Sequence, residues 1–286
     1  MDQKIIDLYD EYTHAPLDRR EFLQRLTRLT GSAAAALALV PLLEANQAHA
    51  ALVAPDDARL ETSRVTYPGV SGDIKAYLAH AKGTARLPAV IVIHENRGLN
   101  PHIEDVTRRM ALEGFLALGP DLLSPAGGTP SNEDTARDMI GKLDGPQTIQ
   151  NVVAAVTFLA KHAQGNGKVG AMGFCWGGGM VGDLAVNAPT LNAGVVYYGR
   201  QPNAGDVPKM QAPLLLHYAG EDTRINGGIP AFEEALKQTS KRYTLHMYDG
   251  AQHAFNNDTS EARYNKIAAD QAWARTLAFF REHLRA

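Results

Sequence analysis

The strongest chemical signal in the chain is Cys175, the only cysteine among 286 residues, which lies in Gly173-Phe174-Cys175-Trp176-Gly177. This pattern is typical of a nucleophile elbow, a strained turn between a strand and a helix that exposes an attacking side chain. Glycines flank such a turn because the neighbouring backbone passes too close for a Cβ atom. A lone cysteine more often fills space as a small buried hydrophobe, but its place in this pattern favours catalysis. The sequence therefore predicts a thiolate nucleophile that attacks a carbonyl carbon.

An acid and a base follow the cysteine in the chain order that an elbow enzyme requires. Asp222 comes after one predicted strand, and His253 comes after the next. A histidine can take the proton of the thiol, and a carboxylate can orient the histidine. The sequence predicts a catalytic triad of Cys175, Asp222 and His253, for which Glu221 is the competing carboxylate.

Alternating strands and helices must position these residues. The run 89–93 is apolar throughout and rich in β-branched residues, which is typical of a strand buried on both faces. Residues 64–67 and 74–79 alternate like an edge hairpin. Further strands are predicted at 115–118, 168–174, 195–198, 213–220 and 243–248, and helices over 101–113, 149–159, 176–186 and 262–284. This order predicts an α/β fold with a mostly parallel central sheet, helices on both faces and the site at the carboxyl ends of the strands. Residues 124–146 are predicted to form a loop with one short helix that could cover the site.

Four motifs make the chain resemble the dienelactone hydrolase (carboxymethylenebutenolidase) family of α/β-hydrolases, from about residue 64 to the C-terminus. They are His94-Glu95-Asn96-Arg97-Gly98, Gly119-Pro120-Asp121-Leu122, the elbow itself, and Gly220-Glu221-Asp222 with Gln252-His253-Ala254-Phe255. The resemblance implies the α/β-hydrolase fold, with Cys175 as nucleophile, His253 as base and Asp222 as the residue that orients it. It also implies that Glu95 pairs with the resting nucleophile. Together with general elbow geometry, it implies that the backbone amides of Asn96 and Trp176 form the oxyanion hole.

The chain departs from this family at Asn257. Characterised dienelactone hydrolases have an arginine at that position, four residues beyond the catalytic histidine, which helps to bind the substrate carboxylate. Arg97, Arg200 and Arg224 are predicted in loops after strands and are candidates to replace the missing cation. Unless one of them does so, neutral esters or lactones are expected to be better substrates than dienelactone.

Composition and charge bear on which partners the protein could bind. The net charge is −3 and the basic residues are scattered, so no nucleic-acid partner is expected. No metal-binding spacing links His94, His217 and His246, and neither a metal nor a cofactor is predicted. The expected partner is a small-molecule ester or lactone, and the expected assembly is a monomer or a homodimer.

Residues 1–50 precede the domain predicted over 51–286 and allow two interpretations. Arg19-Arg20, the apolar run 31–43 and Ala48-His49-Ala50 together are typical of a twin-arginine signal. That interpretation predicts export by the twin-arginine machinery to the periplasm. The apolar run is too short to span a membrane.

The alternative is a retained helical extension of a cytoplasmic protein. The apolar residues of the first twelve positions recur at helical spacing, namely Ile5, Ile6, Leu8, Tyr9 and Tyr12. Asp18 could cap a second helix. Export is the favoured interpretation of the sequence, and the retained extension is its alternative.

The favoured function is cofactor-free hydrolysis of a carboxylic ester or lactone through a thioester acyl-enzyme on Cys175. A thioesterase or a general carboxylesterase is the hydrolytic alternative. The non-enzymatic alternative is a binding module on the same scaffold with a redox-sensitive thiol, since an exposed thiolate is also prone to oxidation. The intact set of Cys175, Asp222 and His253 favours hydrolysis.

Overall fold

The computed structural model of the chain describes residues 1–15, 17–44, 51–84 and 86–285. Its central sheet is built from β1 (Leu60–Gly69), β2 (Gly72–Ala81), β3 (Leu87–Ile93), β4 (Leu116–Pro120), β5 (Gly165–Phe174), β6 (Ala193–Tyr197), β7 (Leu214–Ala219) and β8 (Tyr243–Tyr248). The strand order is β1-β2-β4-β3-β5-β6-β7-β8. Strand β2 is antiparallel to β1 and β4, and the other neighbours are parallel. The predicted mostly parallel sheet is confirmed.

Helices lie on both faces of this sheet, as predicted, and three further helices precede it in the chain. In chain order they are α1 (Gln3–His14), α2 (Arg19–Thr30), α3 (Ala33–Leu43), α4 (Pro101–Leu112), α5 (Glu133–Ile140), α6 (Gly145–Ala160), α7 (Trp176–Asn187), α8 (Thr223–Asn226), α9 (Ile229–Gln238) and α10 (Lys266–His283). Helices α6, α7 and α9 contribute to the hydrophobic core on one face, and α4 and α10 contribute to the core on the other.

Strand β3 shows why the sheet must be covered on both sides. Ala89, Ile91 and Ile93 belong to one core, while Val90 and Val92 belong to the other. Successive side chains of a strand point to opposite faces, so a strand that is apolar throughout requires helices on both. Strand β3 pairs with β5, so its carboxyl end lies beside the elbow that follows β5. The candidate site residues follow the strands at this edge of the sheet.

Element boundaries follow local capping. Helix α4 begins at Pro101 because the Asn100 side chain accepts a hydrogen bond from the amide of Ile103. The last helix begins at Lys266, four residues later than predicted, because the Asn265 side chain caps it. The predicted loop 124–146 contains one short helix, α5, and a turn of 3-10 helix at Ser124–Ala126.

The N-terminal helices α1 to α3 pack around a hydrophobic cluster of their own, which includes Tyr9, Tyr12 and Phe22. Asp18 caps α2, as the retained-extension interpretation predicted, and its side chain accepts a hydrogen bond from the amide of Glu21. Gly31 ends α2 with a φ of 79°, a conformation that favours glycine. The Ala48-His49-Ala50 site of the signal interpretation lies outside the described residues.

No single helix in the described part of the chain is long and apolar enough to cross a membrane. Helices α2 and α3 meet the length and composition criteria only together, and they are bent by 113° at the break between them.

Candidate active site

Cys175 occupies a strained turn between β5 and α7. Its backbone φ is 55° and its ψ is −114°, a conformation that costs roughly 1–3 kcal/mol in a residue other than glycine. A Cβ atom on Gly173 would lie 2.2 Å from the carbonyl oxygen of Gly177, and one on Gly177 would lie 2.4 Å from that of His94. Both glycines are therefore required by close backbone contacts. The turn places the sulfur at the N-terminus of α7.

The predicted acid and base meet beside this thiol. The Nδ1 atom of His253 lies 2.5 Å from Oδ2 of Asp222, and both residues are 4% exposed. Asp222 also caps α8, because its Oδ1 accepts a hydrogen bond from the amide of Ile225 at 3.2 Å. With Nδ1 donating to the carboxylate, Nε2 of His253 has a free lone pair, and this buried atom has no hydrogen-bond partner among the described residues. Glu221, the competing carboxylate, is exposed.

The thiol itself contacts a histidine that the sequence analysis did not consider. Nε2 of His14, the last residue of α1, lies 2.9 Å from Sγ of Cys175. The imidazole rings of His14 and His253 meet edge to face, with 4.7 Å between their centroids. Single ligand atoms of Cys175, His14 and His253 all lie within 4.8 Å of one another. The N-terminal segment therefore contacts Cys175 directly.

Asp10 holds His14 in this position. Nδ1 of His14 lies 3.1 Å from Oδ1 of Asp10 and 2.9 Å from its backbone oxygen. Burial works against ionisation of Asp10, but His253, His14 and Arg224 outweigh it and keep the pKa of Asp10 well below its usual range. Burial also opposes the charge on His14, yet Cys175 and Asp10 raise its pKa above the usual value. The i, i+4 spacing of Asp10 and His14 was the signal available in the sequence.

The carboxylate of Glu95 forms no hydrogen bond to the thiol of Cys175 in this structure. Its Oε2 accepts a hydrogen bond of 2.9 Å from Nδ2 of Asn257, and its buried Oε1 has no partner among the described residues. The contact between Glu95 and Cys175 that the resemblance implied is therefore not formed. The physical reason is that Asn257 supplies a donor to the carboxylate, while His14 takes the position next to the sulfur.

The candidate oxyanion-hole residues lie at the same place. Trp176 is the first residue of α7, so its amide is one of the first four that have no acceptor within the helix. Asn96 follows β3, and its side chain donates a hydrogen bond of 2.6 Å to the backbone oxygen of Thr13 in α1. Asn96, Trp176 and Cys175 line one cavity of about 660 Å³.

The three candidate arginines are all paired in this structure. Arg224 donates to Oδ2 of Asp10 at 3.0 Å, and Arg200 donates to Asp183. Both line the cavity that contains Cys175.

Arg97 lies apart from that cavity and donates to Asp134 at 3.3 Å and to the backbone oxygen of Glu133 at 3.0 Å. It lines a small neighbouring cavity of about 30 Å³ with Glu95 and Asn257, and this cavity also reaches Cys175.

Arg263 is a buried cation near the site that the sequence analysis missed. It lines the small cavity with Glu95 and Asn257, and its guanidinium lies 4.9 Å from the centre of the Tyr9 ring. Its Nε donates to Oγ of Ser260 at 3.1 Å. No sequence motif singles out this arginine, because it lies in an irregular segment before α10.

The other histidines near the sheet are packed and hydrogen-bonded. The ring of His94 stacks on Trp176 at 5.3 Å, and its Nδ1 lies 2.6 Å from the backbone oxygen of Glu95. His217 lies between the hydroxyls of Tyr248 and Thr276 at 2.9 and 3.1 Å. Burial holds the pKa of His94 below, and that of His217 well below, the usual value.

Comparison with known proteins agrees with this fold. Residues 74–284 match the model of the dienelactone hydrolase family, and residues 1–31 match a second model described as YqhI-like. A protein of Saccharolobus solfataricus named as a carboxymethylenebutenolidase is 33% identical over 254 residues, which cover 76% of this chain and 97% of that protein. A Bradyrhizobium protein named as a 2-oxo-3-(5-oxofuran-2-ylidene)propanoate lactonase is 36% identical over 231 residues, which cover 76% of this chain and 92% of that protein.

A solved structure supports the same assignment. A crystallised protein of Klebsiella pneumoniae named as a dienelactone hydrolase superposes with a TM-score of 0.72 at 28% sequence identity. The match covers 78% of this chain and 99% of that protein. On the family model, the curated relatives and the fold together, the chain belongs to the dienelactone hydrolase family of α/β-hydrolases.

Proposed function

We propose that the protein hydrolyses a small carboxylic ester or lactone through a thioester on Cys175, with His253 as the base and Asp222 as the group that orients it. The observation that carries this proposal is the buried Asp222–His253 pair, at 2.5 Å, in which Nε2 of His253 has no hydrogen-bond partner within the described part of the chain. A cavity of about 660 Å³ in front of the sulfur lies within the range of about 300–1,000 Å³ that small-molecule sites occupy.

The proposed reaction assigns a group to each step. His253 accepts the thiol proton at Nε2, and the thiolate adds to the carbonyl carbon. The backbone amides of Asn96 and Trp176 stabilise the resulting oxyanion, and one such donor is typically worth about 10²–10³ in rate. The tetrahedral intermediate collapses to a thioester, and the alkoxide takes the proton from His253. In a lactone, this alkoxide remains attached to the acyl chain.

Water completes the cycle. His253 takes a proton from a water molecule, and the hydroxide adds to the thioester carbonyl. Collapse of this second intermediate expels the thiolate, which recovers its proton from the imidazolium. The products are a carboxylic acid and an alcohol, or one hydroxy acid from a lactone. The names of the relatives from Saccharolobus solfataricus and Bradyrhizobium support lactones as the first substrates to test.

The test is a panel of lactones, aryl esters and thioesters assayed with the wild type, Cys175→Ala and Cys175→Ser. Loss of a member of such a catalytic set typically costs about 10⁴ or more in kcat. Because the chain has one cysteine, an acyl adduct seen by intact mass spectrometry and absent from Cys175→Ala can be assigned to that sulfur. Retention of most activity by Cys175→Ala would show that the nucleophile is a different group. The panel also separates the ester and lactone hydrolase from a thioesterase.

Neutral substrates are proposed to be preferred to dienelactone. Glu95 is a buried carboxylate held by Asn257, and the cations of Arg200 and Arg224 are paired with aspartates. A missing charge-assisted bond to a substrate carboxylate costs roughly 1.5–3 kcal/mol, or about one to two orders of magnitude in kcat/KM. The comparison to make is kcat/KM for dienelactone and for a neutral lactone of similar size. A clear preference for the anion would contradict this proposal, and Arg97→Ala and Arg263→Ala would then test the two buried cations of the small cavity.

We further propose that helices α1 to α3 are retained in the functional protein. Thr13 and His14 of α1 line the cavity in front of Cys175, and the backbone oxygen of Thr13 binds Asn96. Ser260 and Ala262 of the hydrolase domain donate hydrogen bonds to the end of α3, the first to Leu43 and the second to Leu42. N-terminal mass analysis of the protein isolated from periplasmic and cytoplasmic fractions tests this proposal. Isolation of an active form that has lost residues 3–43 would contradict it.

A further inference from the structure

Three side chains that can bind a metal converge at the mouth of the elbow. Nε2 of His14 lies 2.9 Å from Sγ of Cys175, and a ring nitrogen of His253 completes a group whose atoms lie within 4.8 Å of one another. The three residues come from α1, from the elbow and from the loop after β8, so no spacing in the sequence could reveal them. In the described part of the chain this is the one such group found.

The surroundings of the two histidines resemble those of metal-binding histidines. Nδ1 of His14 lies 2.9 Å from the backbone oxygen of Asp10 and 3.1 Å from its carboxylate, and Nδ1 of His253 lies 2.5 Å from the carboxylate of Asp222. A backbone carbonyl or a carboxylate on Nδ1 fixes the ring and directs the basic Nε2 outward, which is the arrangement that supports histidine ligands in metal sites. Nε2 of His253 is buried and has no hydrogen-bond partner among the described residues, so a lone pair is available there.

The donor set selects a class of metal. One thiolate and two imidazoles suit zinc and related transition metals, whereas magnesium and calcium prefer oxygen ligands. Typical Zn–S and Zn–N bonds at a tetrahedral angle place the two ligand atoms roughly 3.6 Å apart. The observed separations, from 2.9 Å up to at most 4.8 Å, bracket this value, so side-chain shifts of about 1 Å would suffice. The cavity in front of the sulfur gives access and leaves room for a further ligand.

We propose that Cys175, His14 and His253 form a binding site for a thiophilic divalent metal ion of the zinc class, and that the bound ion holds the enzyme in an inactive state. The metal forms bonds to the thiolate sulfur and to two imidazole nitrogens, and the proton of the thiol passes to solvent. No electron is transferred. The ion would block hydrolysis because it occupies both the nucleophile and the lone pair that must accept the thiol proton. It would also tie α1 to the hydrolase domain.

Binding is measured without any substrate, so its outcome does not depend on the proposed hydrolysis. The full-length protein is freed of metal with a chelator and titrated with Co²⁺, which reports thiolate ligation by a charge-transfer absorption and tetrahedral geometry by visible bands. Zn²⁺ should displace Co²⁺ at a stoichiometry of one per chain. Absence of the charge-transfer band, or of stoichiometric Zn²⁺ binding, would overturn the proposal.

Variants locate the ligands. His14→Ala should weaken Zn²⁺ binding by at least about 100-fold, and Asp10→Asn, which acts through His14, by about 10–100-fold. His80→Ala is the matched control, because His80 is also a buried histidine beside a carboxylate, with Nε2 3.5 Å from Glu61, but lies on β2 away from the site. Zn²⁺ affinity should be unchanged in that control.

A further substitution separates ligation from folding of the N-terminal helices. His14→Cys keeps a soft ligand at the same position and should retain the tight Zn²⁺ binding that His14→Ala loses. Zn²⁺ should also protect Cys175 from iodoacetamide in the wild type, and a chelator should restore alkylation. If His14→Ala binds Zn²⁺ as tightly as the wild type, the proposed site is wrong, and His14 is a contact of the N-terminal helix and not a ligand.

Discussion

Replacing Asp222 by asparagine tests the central pair of the candidate site with little change in shape. Oδ1 of Asp222 accepts the amide of Ile225, while Oδ2 faces Nδ1 of His253. In Asp222→Asn the backbone amide of Ile225 still needs an acceptor at the start of α8. The side-chain oxygen of the asparagine therefore accepts that hydrogen bond, and its side-chain nitrogen faces His253. That nitrogen is a donor, and Nδ1 must then accept. The ring would carry its proton on Nε2, the tautomer that cannot take a proton from the thiol.

The size of the loss follows from the charges. Formation of the thiolate leaves an imidazolium next to Asp222 in a pair whose members are both 4% exposed. Two unit charges about 4 Å apart at an effective dielectric constant of about 20 attract one another by about 4 kcal/mol. Loss of this attraction in the transition state corresponds to about 10³ in kcat, and the unfavourable tautomer adds to it. We therefore expect kcat to fall by about 10³–10⁴.

The assay compares kcat and KM on the best neutral substrate for the wild type, Asp222→Asn and Glu221→Gln. Glu221 is the neighbouring carboxylate in the sequence, but it is exposed, and its replacement should leave kcat within about twofold. Retention of the cap should keep the thermal midpoint of Asp222→Asn within several degrees of the wild type. A loss of less than tenfold in Asp222→Asn, or an equal loss in Glu221→Gln, would refute the assignment of the acid.

Three further predictions concern stability. Asn257→Ala removes the donor to the buried Glu95 carboxylate and should lower the free energy of unfolding by about 1.5–3 kcal/mol in urea titrations; an unchanged midpoint would show that this bond contributes nothing. Gly177→Ala places a Cβ atom 2.4 Å from a backbone oxygen and should prevent folding or abolish activity, while Gly205→Ala, with nothing within 4 Å, is the tolerated control in expression and activity assays. Burial keeps the pKa of His217 well below its usual value, so below about pH 6.5 the unfolded chain binds a proton that the folded protein does not. The unfolding free energy should therefore fall by up to about 1.4 kcal/mol per pH unit from this residue as the pH drops, and His217→Gln should reduce that slope in urea titrations at several pH values; an unchanged slope would contradict it.

The sheet and the elbow could be predicted because their signals are local. An apolar strand such as β3 is buried on both sides only in a sheet that helices cover on both faces. The alternation of strands and helices along the chain then predicts parallel pairing. Glycines around Cys175 report a backbone conformation that other residues resist. The residues after β7 and β8 follow from the same rule, since the carboxyl ends of parallel strands meet at one edge. Asp222 and His253 could thus be placed together before any distance was known.

The contacts of α1 could not be predicted in the same way. The apolar spacing of its residues predicted a helix, but it could not show what that helix packs against, because docking depends on the shape of a surface built from distant segments. His14 and Cys175 are 161 positions apart in the chain. No sequence motif includes His14, and the segment that contains it allowed two interpretations. Asp10 and His14 lie one helical turn apart and form a polar pair. Only the folded structure shows that this pair contacts the sulfur of Cys175.

Glu95 shows how one substitution can redirect a neighbouring group. The resemblance to the dienelactone hydrolase family implied a carboxylate that rests on the thiol, in a site whose position 257 is an arginine. Asn257 is shorter and uncharged, and its amide donates to Oε2 of Glu95 without supplying a cation. The thiol instead contacts Nε2 of His14, and Cys175 and Asp10 raise the pKa of that imidazole. A neutral amide thus binds Glu95 and an imidazole from the N-terminal helix contacts the sulfur, and the hydrolase motifs alone specify neither contact.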